Sequence, residues 1–487
     1  MSNNKKKIET RLSDYFNLKK SQPELDFVDV PVGADLLLFV DPYSFTLEAD
    51  PWFIECNNLV VDYFAMLIDS IRTGRIDNAR HLLSNLHEPE DTHLGFARTG
   101  SPGRGIGRNQ ANDLLDALTN SKAVQTGALD DLSDCELLIP GISADKISDI
   151  TTNIIREQLL EYTEAQCALH GIATSRVQGG VHWDLGNHQW ANRYANLPLI
   201  NGRRLVFIPK ACVRFRPAIT ANEFYNKFVL DFLEAEHLRA NDALVHTLRN
   251  GKRKVFRKDL KNRYPFNKEF LFKFSQEHPD ILRAYKELAR QTSKPLRDEA
   301  MEEAHAEYRE IDYSKLAAEL DAIPSGAQHA TTFHNFIFGA LQSVFYPSLR
   351  YPQKEQEIHD GRKRIDITFN NGAQDGFFDD LRVNYKIYCP FIFFECKNYS
   401  SDPANPELDQ ISGRFGDKRG WFGIIVCRKV QDKALMLKRC KDTLHDNRGW
   451  ILVFDDDDIK QLLKFRAGSQ FKEISAFMNG KMKSLVM

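Results

Sequence analysis

The chain has 487 residues, of which 42% are hydrophobic and 27% charged, and its formal net charge is -2. That length exceeds the roughly 250 to 300 residues at which a single core stops growing, so two or three domains are expected, and the composition excludes a disordered or fibrous chain. The small net charge excludes a global pull toward nucleic acid or membrane, so any polyanion-binding surface must come from local clustering.

No stretch approaches the roughly eighteen uninterrupted apolar residues of a membrane span, and the opening MSNNKKKIETRL has no apolar run behind its lysines. A cytoplasmic protein without membrane contact is expected. The eight cysteines are scattered with no C-x-x-C pair, which argues against zinc ribbons and redox motifs and for reduced thiols in the core.

In chain order, residues 1–24 read as a polar, frayed or loosely helical tail. FVDVPV and ADLLLFVD predict short strands. NNLVVDYFAMLIDSIRTG predicts a packed helix stopped at Gly74. The glycines at 103, 105 and 107, beside Arg104 and Arg108, lack the G-K-[ST] of a phosphate loop and read better as a surface loop than as an anion nest. NQANDLLDAL and SDITTNIIREQLLEYTEAQCAL predict helices, the second capped by Ser148 or Asp149. His182, Asp184 and His188 in HWDLGNHQW have metal-ligating chemistry, but the paired glycines before them favour a turn between strands. RRLVFIPKACVRF predicts one or two further strands, which completes an N-terminal α/β domain over residues 25–215.

Residues 216–322 read as a helical region, with LDAIPSGAQHATT as the linker after it. Between Arg249 and Lys268 stand nine Lys or Arg residues and one acid, interleaved with Phe256, Tyr264 and Phe266. Clustered cations release counterions from a phosphate backbone, so Arg253, Lys254, Arg257 and Lys258 are candidate nucleic-acid contacts, against the alternative of a solvated helical face.

Residues 328–487 show another order: a helix, strands at RKRIDITFN and YCPFIFFECKN, a helix, the strand WFGIIVC, a helix and the strand WILVF. This predicts an α/β sandwich, a mixed central sheet flanked by helices. The acids of DDDD at 455–458 suit the first turn of the next helix.

An acid two residues before a lysine occurs at Asp259 with Lys261, Glu395 with Lys397 and Asp458 with Lys460, but only the second closes an unbroken apolar run, Phe391-Ile392-Phe393-Phe394. On a strand, residues two apart share a face, so this carboxylate and ammonium are presented together. Asp366, in the alternating Arg364-Ile365-Asp366-Ile367, supplies a second carboxylate, and oxygen donors of this kind suit magnesium, with manganese as a substitute. Gln410 follows Lys397 by thirteen residues on the predicted helix, with Arg414 one turn later on the same face.

In Asp366, Glu395 and Lys397 the sequence resembles the PD-(D/E)XK, or restriction-endonuclease-like, superfamily over about residues 328–470, and Gln410 is similar to the glutamine of its RecB-like branch. The resemblance implies that Asp366, Glu395 and the backbone carbonyl of Cys396 hold the metal, with Glu357 as an added ligand, and that Lys397 and Gln410 act beside it. The 28 residues between Asp366 and Glu395 require an inserted hairpin or helix, and Asp379 or Asp380 is the alternative second ligand. The implied activity is magnesium-dependent cleavage of DNA. A long sensor-like region before such a nuclease resembles bacterial anti-phage defence proteins, for which a phage-derived or nucleic-acid trigger and homo-oligomerisation are the expected partners. The rival readings are a DNA-repair nuclease and a non-catalytic nucleic-acid-binding scaffold.

Overall fold

The apolar run Phe391–Phe394 becomes the middle of a sheet because it offers hydrophobic side chains to both faces, and a strand buried on both faces must be covered on both. The computed structural model describes residues 10–47, 50–95, 108–127, 129, 131–358 and 363–487. Over residues 313–486 it contains, in chain order, helix α1 (Tyr313–Ala322), helix α2 (Ala330–Phe345), strands β1 (Leu349–Ile358) and β2 (Lys363–Asn371), and helix α3 (Phe377–Val383). Strand β3 (Phe391–Lys397), helix α4 (Asn405–Ser412), strand β4 (Phe422–Cys427), helix α5 (Lys433–His445), strand β5 (Trp450–Phe454), and helices α6 (Asp456–Ala467) and α7 (Phe471–Val486) complete it.

The five strands form one mixed sheet in the order β5-β4-β3-β2-β1. β1, β2 and β3 are antiparallel to one another, whereas β3, β4 and β5 run parallel. The change of sense follows from the connections: parallel neighbours need a crossover, and α4 and α5 supply it. All six residues of β4 are buried. The fold class is therefore mixed α/β with a five-stranded mixed C-terminal sheet, as the element order predicts. The insertion required between Asp366 and Glu395 is α3.

This C-terminal core starts earlier than the predicted linker. Tyr313, Leu316, Leu320 and Ile323 belong to it, and the loop after α1 is tied down rather than slack. Asn398 Nδ2 donates to the carbonyls of Pro324 and Gly326, and Gly326 N–H donates to Asn398 O. Pro-Ser-Gly marked a turn here, not a separation between domains.

A second core gathers residues from Leu12 to Val213 and adds Met301, Tyr346 and Tyr351 from later in the chain. The helix Pro51–Arg72 is capped by Asp50, whose side chain accepts from Trp52 N, and it ends before Gly74 at φ 72°. Ser148 and Asp149 do not cap a long helix. Two helices stand there, Ala144–Ile154 and Arg156–His170, the first capped by Ser143, while Ser148 Oγ accepts from Val40 N. The predicted strands at 25–41 and 203–215 shrink to Phe39–Val40, Arg203–Arg204 and Val213–Arg214. The reason is visible in the hydrogen bonds of the second segment. Val206 N donates to Asp91 O, Phe207 N to Thr163 Oγ1, and Ile208 O accepts from Val28 N, so successive residues bond different segments and no ladder forms. Nor is the tail from residue 10 onward frayed: Arg11 and Leu12 are each 1% exposed.

The third core joins residues 219–289 to Tyr43, Ala123, Leu137 and Leu138. This middle region is not wholly helical, because Val245–Thr247 and Arg253–Val255 form an antiparallel hairpin whose turn uses Gly251 at φ 79°. A positive φ at low cost is what glycine provides. His182, Asp184 and His188 lie on the expected hairpin, Ser175–Asp184 with Gln189–Leu197, and its turn. They do not converge: His188 pairs with Asp62 and Asp184 bonds Asn187 and Gly186. All eight cysteines are free thiols. The glycine-rich stretch 96–107 lies outside the described residues.

Candidate active site

β2 and β3 are registered from Asn370 opposite Phe391 to Ile367 opposite Phe394. One residue further on each strand come Asp366 and Glu395, so the antiparallel pairing brings the two acids to the same end of the sheet. The backbone confirms their closeness, since Cys396 N–H donates to Asp366 Oδ2 over 2.9 Å. Asp379 and Asp380 are engaged elsewhere, with Arg382 and with Asn384 and Asn479 respectively. Asp366 is thus the acid that meets Glu395.

Glu395 is 1% exposed. Its Oε1 accepts from Lys397 Nζ over 2.9 Å and also from Gln410 Nε2. Lys397 Nζ is in turn held by Gln410 Oε1 at 3.0 Å. The glutamine therefore donates to the acid and accepts from the amine, which fixes both. α4 can bring Gln410 this near because Gly423 on β4 lies beneath the helix: a Cβ there would stand 2.7 Å from Ile411 Cδ1 and 3.1 Å from the Phe415 ring.

The other oxygen of Glu395 is different. Oε2 is buried and has no hydrogen-bond partner. A buried acceptor left unmatched costs about 1 to 3 kcal/mol. Burial raises the Glu395 carboxyl above the usual range, and the neighbouring Asp366 raises it further, against the opposing pull of Lys397. Burial disfavours the charged form of Lys397, but the Glu395 carboxylate beside it outweighs this and raises its pKa, so the amine stays protonated at neutral pH. Two carboxylates, one orphaned oxygen and a fixed ammonium make a site short of positive charge on one side only.

Among the described residues no three His, Cys, Asp or Glu side chains stand together in metal-ligating geometry. The donors that fit a hard divalent cation are thus Asp366, Glu395 Oε2 and a backbone carbonyl, and water must complete the shell. Glu357 is placed on β1 opposite Arg364 by its backbone, and its side chain lies outside the described residues.

Two side chains differ from expectation or escaped it. Arg414 is not on α4, which ends at Ser412 with Gly413 as its cap; the residue is 8% exposed, and its Nε is buried without a partner. Its charge pulls the Glu395 carboxyl down. His334 on α2 has Nε2 within 3.1 Å of Asp366 O, and burial lowers its pKa despite the nearby carboxylate. Only the packing of α2 on the sheet brings it there, and no spacing in the sequence signals that. Arg253, Lys254, Arg257 and Lys258 are exposed on the hairpin and the helix Arg257–Arg263, apart from these acids.

The chain's N-terminal part matches a family model. It is described as a domain of unknown function (DUF8370) and spans residues 17–220. Those limits take in most of the second core, which also holds Met301, Tyr346 and Tyr351 beyond them, and stop well before β3. No curated protein and no solved structure matches the chain. Among the described residues no helix is long and apolar enough to cross a membrane.

Proposed function

We propose that residues 313–487 form a restriction-endonuclease-like, magnesium-dependent nuclease that hydrolyses phosphodiester bonds of DNA, and that the N-terminal part recognises a trigger or restrains the cut. The observation that carries this reading is Glu395, a buried carboxylate with one oxygen shared by Lys397 and Gln410, the other unmatched, and Asp366 beside it. A purely structural Glu-Lys pair has no need of a second, half-buried acid next to an orphaned oxygen.

Asp366, Glu395 and the Cys396 carbonyl would hold the cation. Bound there, magnesium or manganese supplies Lewis-acid polarisation of a phosphate and lowers the pKa of a coordinated water. The chain's own contribution is orientation and charge. Lys397, held protonated between Glu395 and Gln410, donates hydrogen bonds to the attacking water or to the phosphoryl oxygen as negative charge builds on it. The water oxygen bonds to phosphorus, one P–O ester bond breaks, and the leaving oxygen takes up a proton. Gln410 keeps the amine from swinging away, and Arg414 adds positive charge behind Glu395.

The layout, a large N-terminal part ahead of such a nuclease, supports a role in bacterial defence against phage or foreign DNA, an argument by analogy of architecture. Supercoiled plasmid incubated with magnesium, manganese or EDTA tests the activity. Nicking or linearisation is expected with either metal, none in EDTA, and none from Asp366→Ala or Lys397→Ala. Equal cutting by wild type and both variants would overturn the assignment.

A further inference from the structure

The described surface contains a second strongly charged feature that the site above does not use. Residues 249–268 carry nine Lys or Arg and one acid, a local charge of +8, so a chain of net charge -2 holds -10 in everything else. The fold gathers this charge onto one connected piece. Arg253 and Lys254 lie on the second strand of the hairpin, and Lys258 and Lys261 on the helix Arg257–Arg263 that follows it. All four are exposed. Acids beside it have basic partners: Asp231 holds Arg257, Asp259 meets His246 at 3.1 Å, Asp242 holds His237, and Glu136 acts on Lys268. They leave most of the positive charge unmatched.

Two aromatic rings accompany it. Phe256 is 39% and Phe266 47% exposed, although Phe256 touches His246 and Phe266 touches Tyr225. Lys254 Nζ stands 5.6 Å from the Phe256 ring centre. Exposed phenyl rings are costly in water and would serve nothing in the grip of a duplex, whose bases are already stacked, whereas unpaired bases stack on such rings.

We propose that this hairpin and helix form a binding surface for single-stranded nucleic acid, in which Arg253, Lys254, Lys258 and Lys261 neutralise phosphates and Phe256 and Phe266 stack bases. The surface stands apart from the acidic centre and does not require that centre to cut. Binding is therefore measured in EDTA, where cleavage cannot occur, so that failure to bind and failure to cut remain separate results.

The test uses the full chain and a fluorescein-labelled, mixed-sequence oligonucleotide of about 20 nucleotides, longer than the roughly 4 to 16 that one such surface spans. Its anisotropy is followed beside that of the matching duplex. The triple variant Lys254→Glu, Lys258→Glu, Lys261→Glu is expected to weaken binding by at least about tenfold and to flatten its salt dependence. Phe256→Ala with Phe266→Ala should cost about tenfold on the single strand and little on the duplex. A control with the same charge change, Lys438→Glu, Lys472→Glu, Lys483→Glu, should bind as wild type. Glutamine in place of glutamate at the three patch lysines, with unchanged circular dichroism, separates lost binding from lost folding. Equal loss in control and patch variants, no loss in the patch variant, or duplex binding as tight as single-strand binding and indifferent to the phenylalanines would each overturn the proposal. So would capture by anionic phospholipid vesicles through these lysines with no capture of the oligonucleotide.

Discussion

Cys396 N–H donates to Asp366 Oδ2 over 2.9 Å, so one backbone hydrogen bond ties the acid of β2 to the strand that carries Glu395 and Lys397. The bond holds two buried or half-buried carboxylates together without a hydrogen-bonded bridge between them. Such a pair is stable only at a cost in repulsion, which a cation relieves and a neutral substitution also relieves.

That cost is measurable. Asp366→Asn keeps an oxygen for Cys396 N–H and removes the charge that raises the Glu395 carboxyl. In EDTA the variant should unfold at a higher temperature than wild type, by about 1 to 2 kcal/mol in stability. Magnesium should raise the melting temperature of wild type and leave that of the variant nearly unchanged. A variant less stable than wild type in EDTA contradicts the proposed repulsion.

Lys397 and Glu395 should behave as a coupled pair. Lys397→Met leaves Glu395 buried without its counter-charge and should cost about 2 to 4 kcal/mol, whereas adding Glu395→Gln should recover much of the loss. Denaturant unfolding of the two single variants and the double gives the coupling directly. Additive losses would show that the ion pair is not what holds the amine.

Gly423→Ala tests how α4 positions the site. The new methyl meets Ile411 at 2.7 Å, and overpacking of this kind costs about 1 to 3 kcal/mol. Because α4 must lift to admit it, Gln410 leaves Lys397, and cleavage by protein that is still folded should drop by about tenfold or more. Unchanged cutting at unchanged stability would mean that the helix has room to spare.

Asp29 gives a pH signature away from the site. Burial pushes its carboxyl up to about 6, although Ser13 donates to it through N–H and Oγ. Between pH 4 and 6 the folded chain therefore holds a proton there that the unfolded chain has lost, and stability falls as pH rises through that window. The group's contribution is fully present in acid and lost above about pH 6, a change of about 2 to 3 kcal/mol. Asp29→Asn should flatten that part of the stability curve, read by thermal unfolding from about pH 4 to 7. An unchanged slope refutes the assignment.

Lys210 joins the segment matched by the family model to the C-terminal unit. It is fully buried, paired with Asp298 at 2.7 Å and 3.9 Å from the ring centre of Tyr346, while Arg466 of α6 bonds the same Asp298. Lys210→Met should cost about 3 to 5 kcal/mol by leaving buried acid with half its counter-charge. Calorimetry should then show the two parts melting at separate temperatures where wild type melts once. A single transition in both proteins argues against coupling through this pair.

What the sequence disclosed depended on locality. The strand of Glu395 and Lys397 was legible because an apolar run and a two-residue period are both local, and so was the insertion, α3, implied by the distance from Asp366. The joining of the two acids was inferable from chemistry, but only the β2–β3 register makes it geometric. Where tertiary packing decides, local pattern misleads. Leu205–Ile208 looks like a strand and is buried like one, yet its hydrogen bonds go to several segments. Arg11 looks like part of a polar tail, yet its guanidinium is buried against Glu302 nearly 300 residues away. Spacing puts Arg414 on the helix of Gln410, but Gly413 ends that helix one residue sooner.

In the proposed function Asp366 and Glu395 jointly hold a divalent cation, magnesium or manganese alike. Manganese titrated into the full chain, with free ion followed by electron paramagnetic resonance, tests it without reference to any substrate. Wild type should take up manganese that magnesium displaces, and Asp366→Asn and Glu395→Gln should each abolish the uptake. Undiminished uptake by both variants, or none by wild type, would contradict the account.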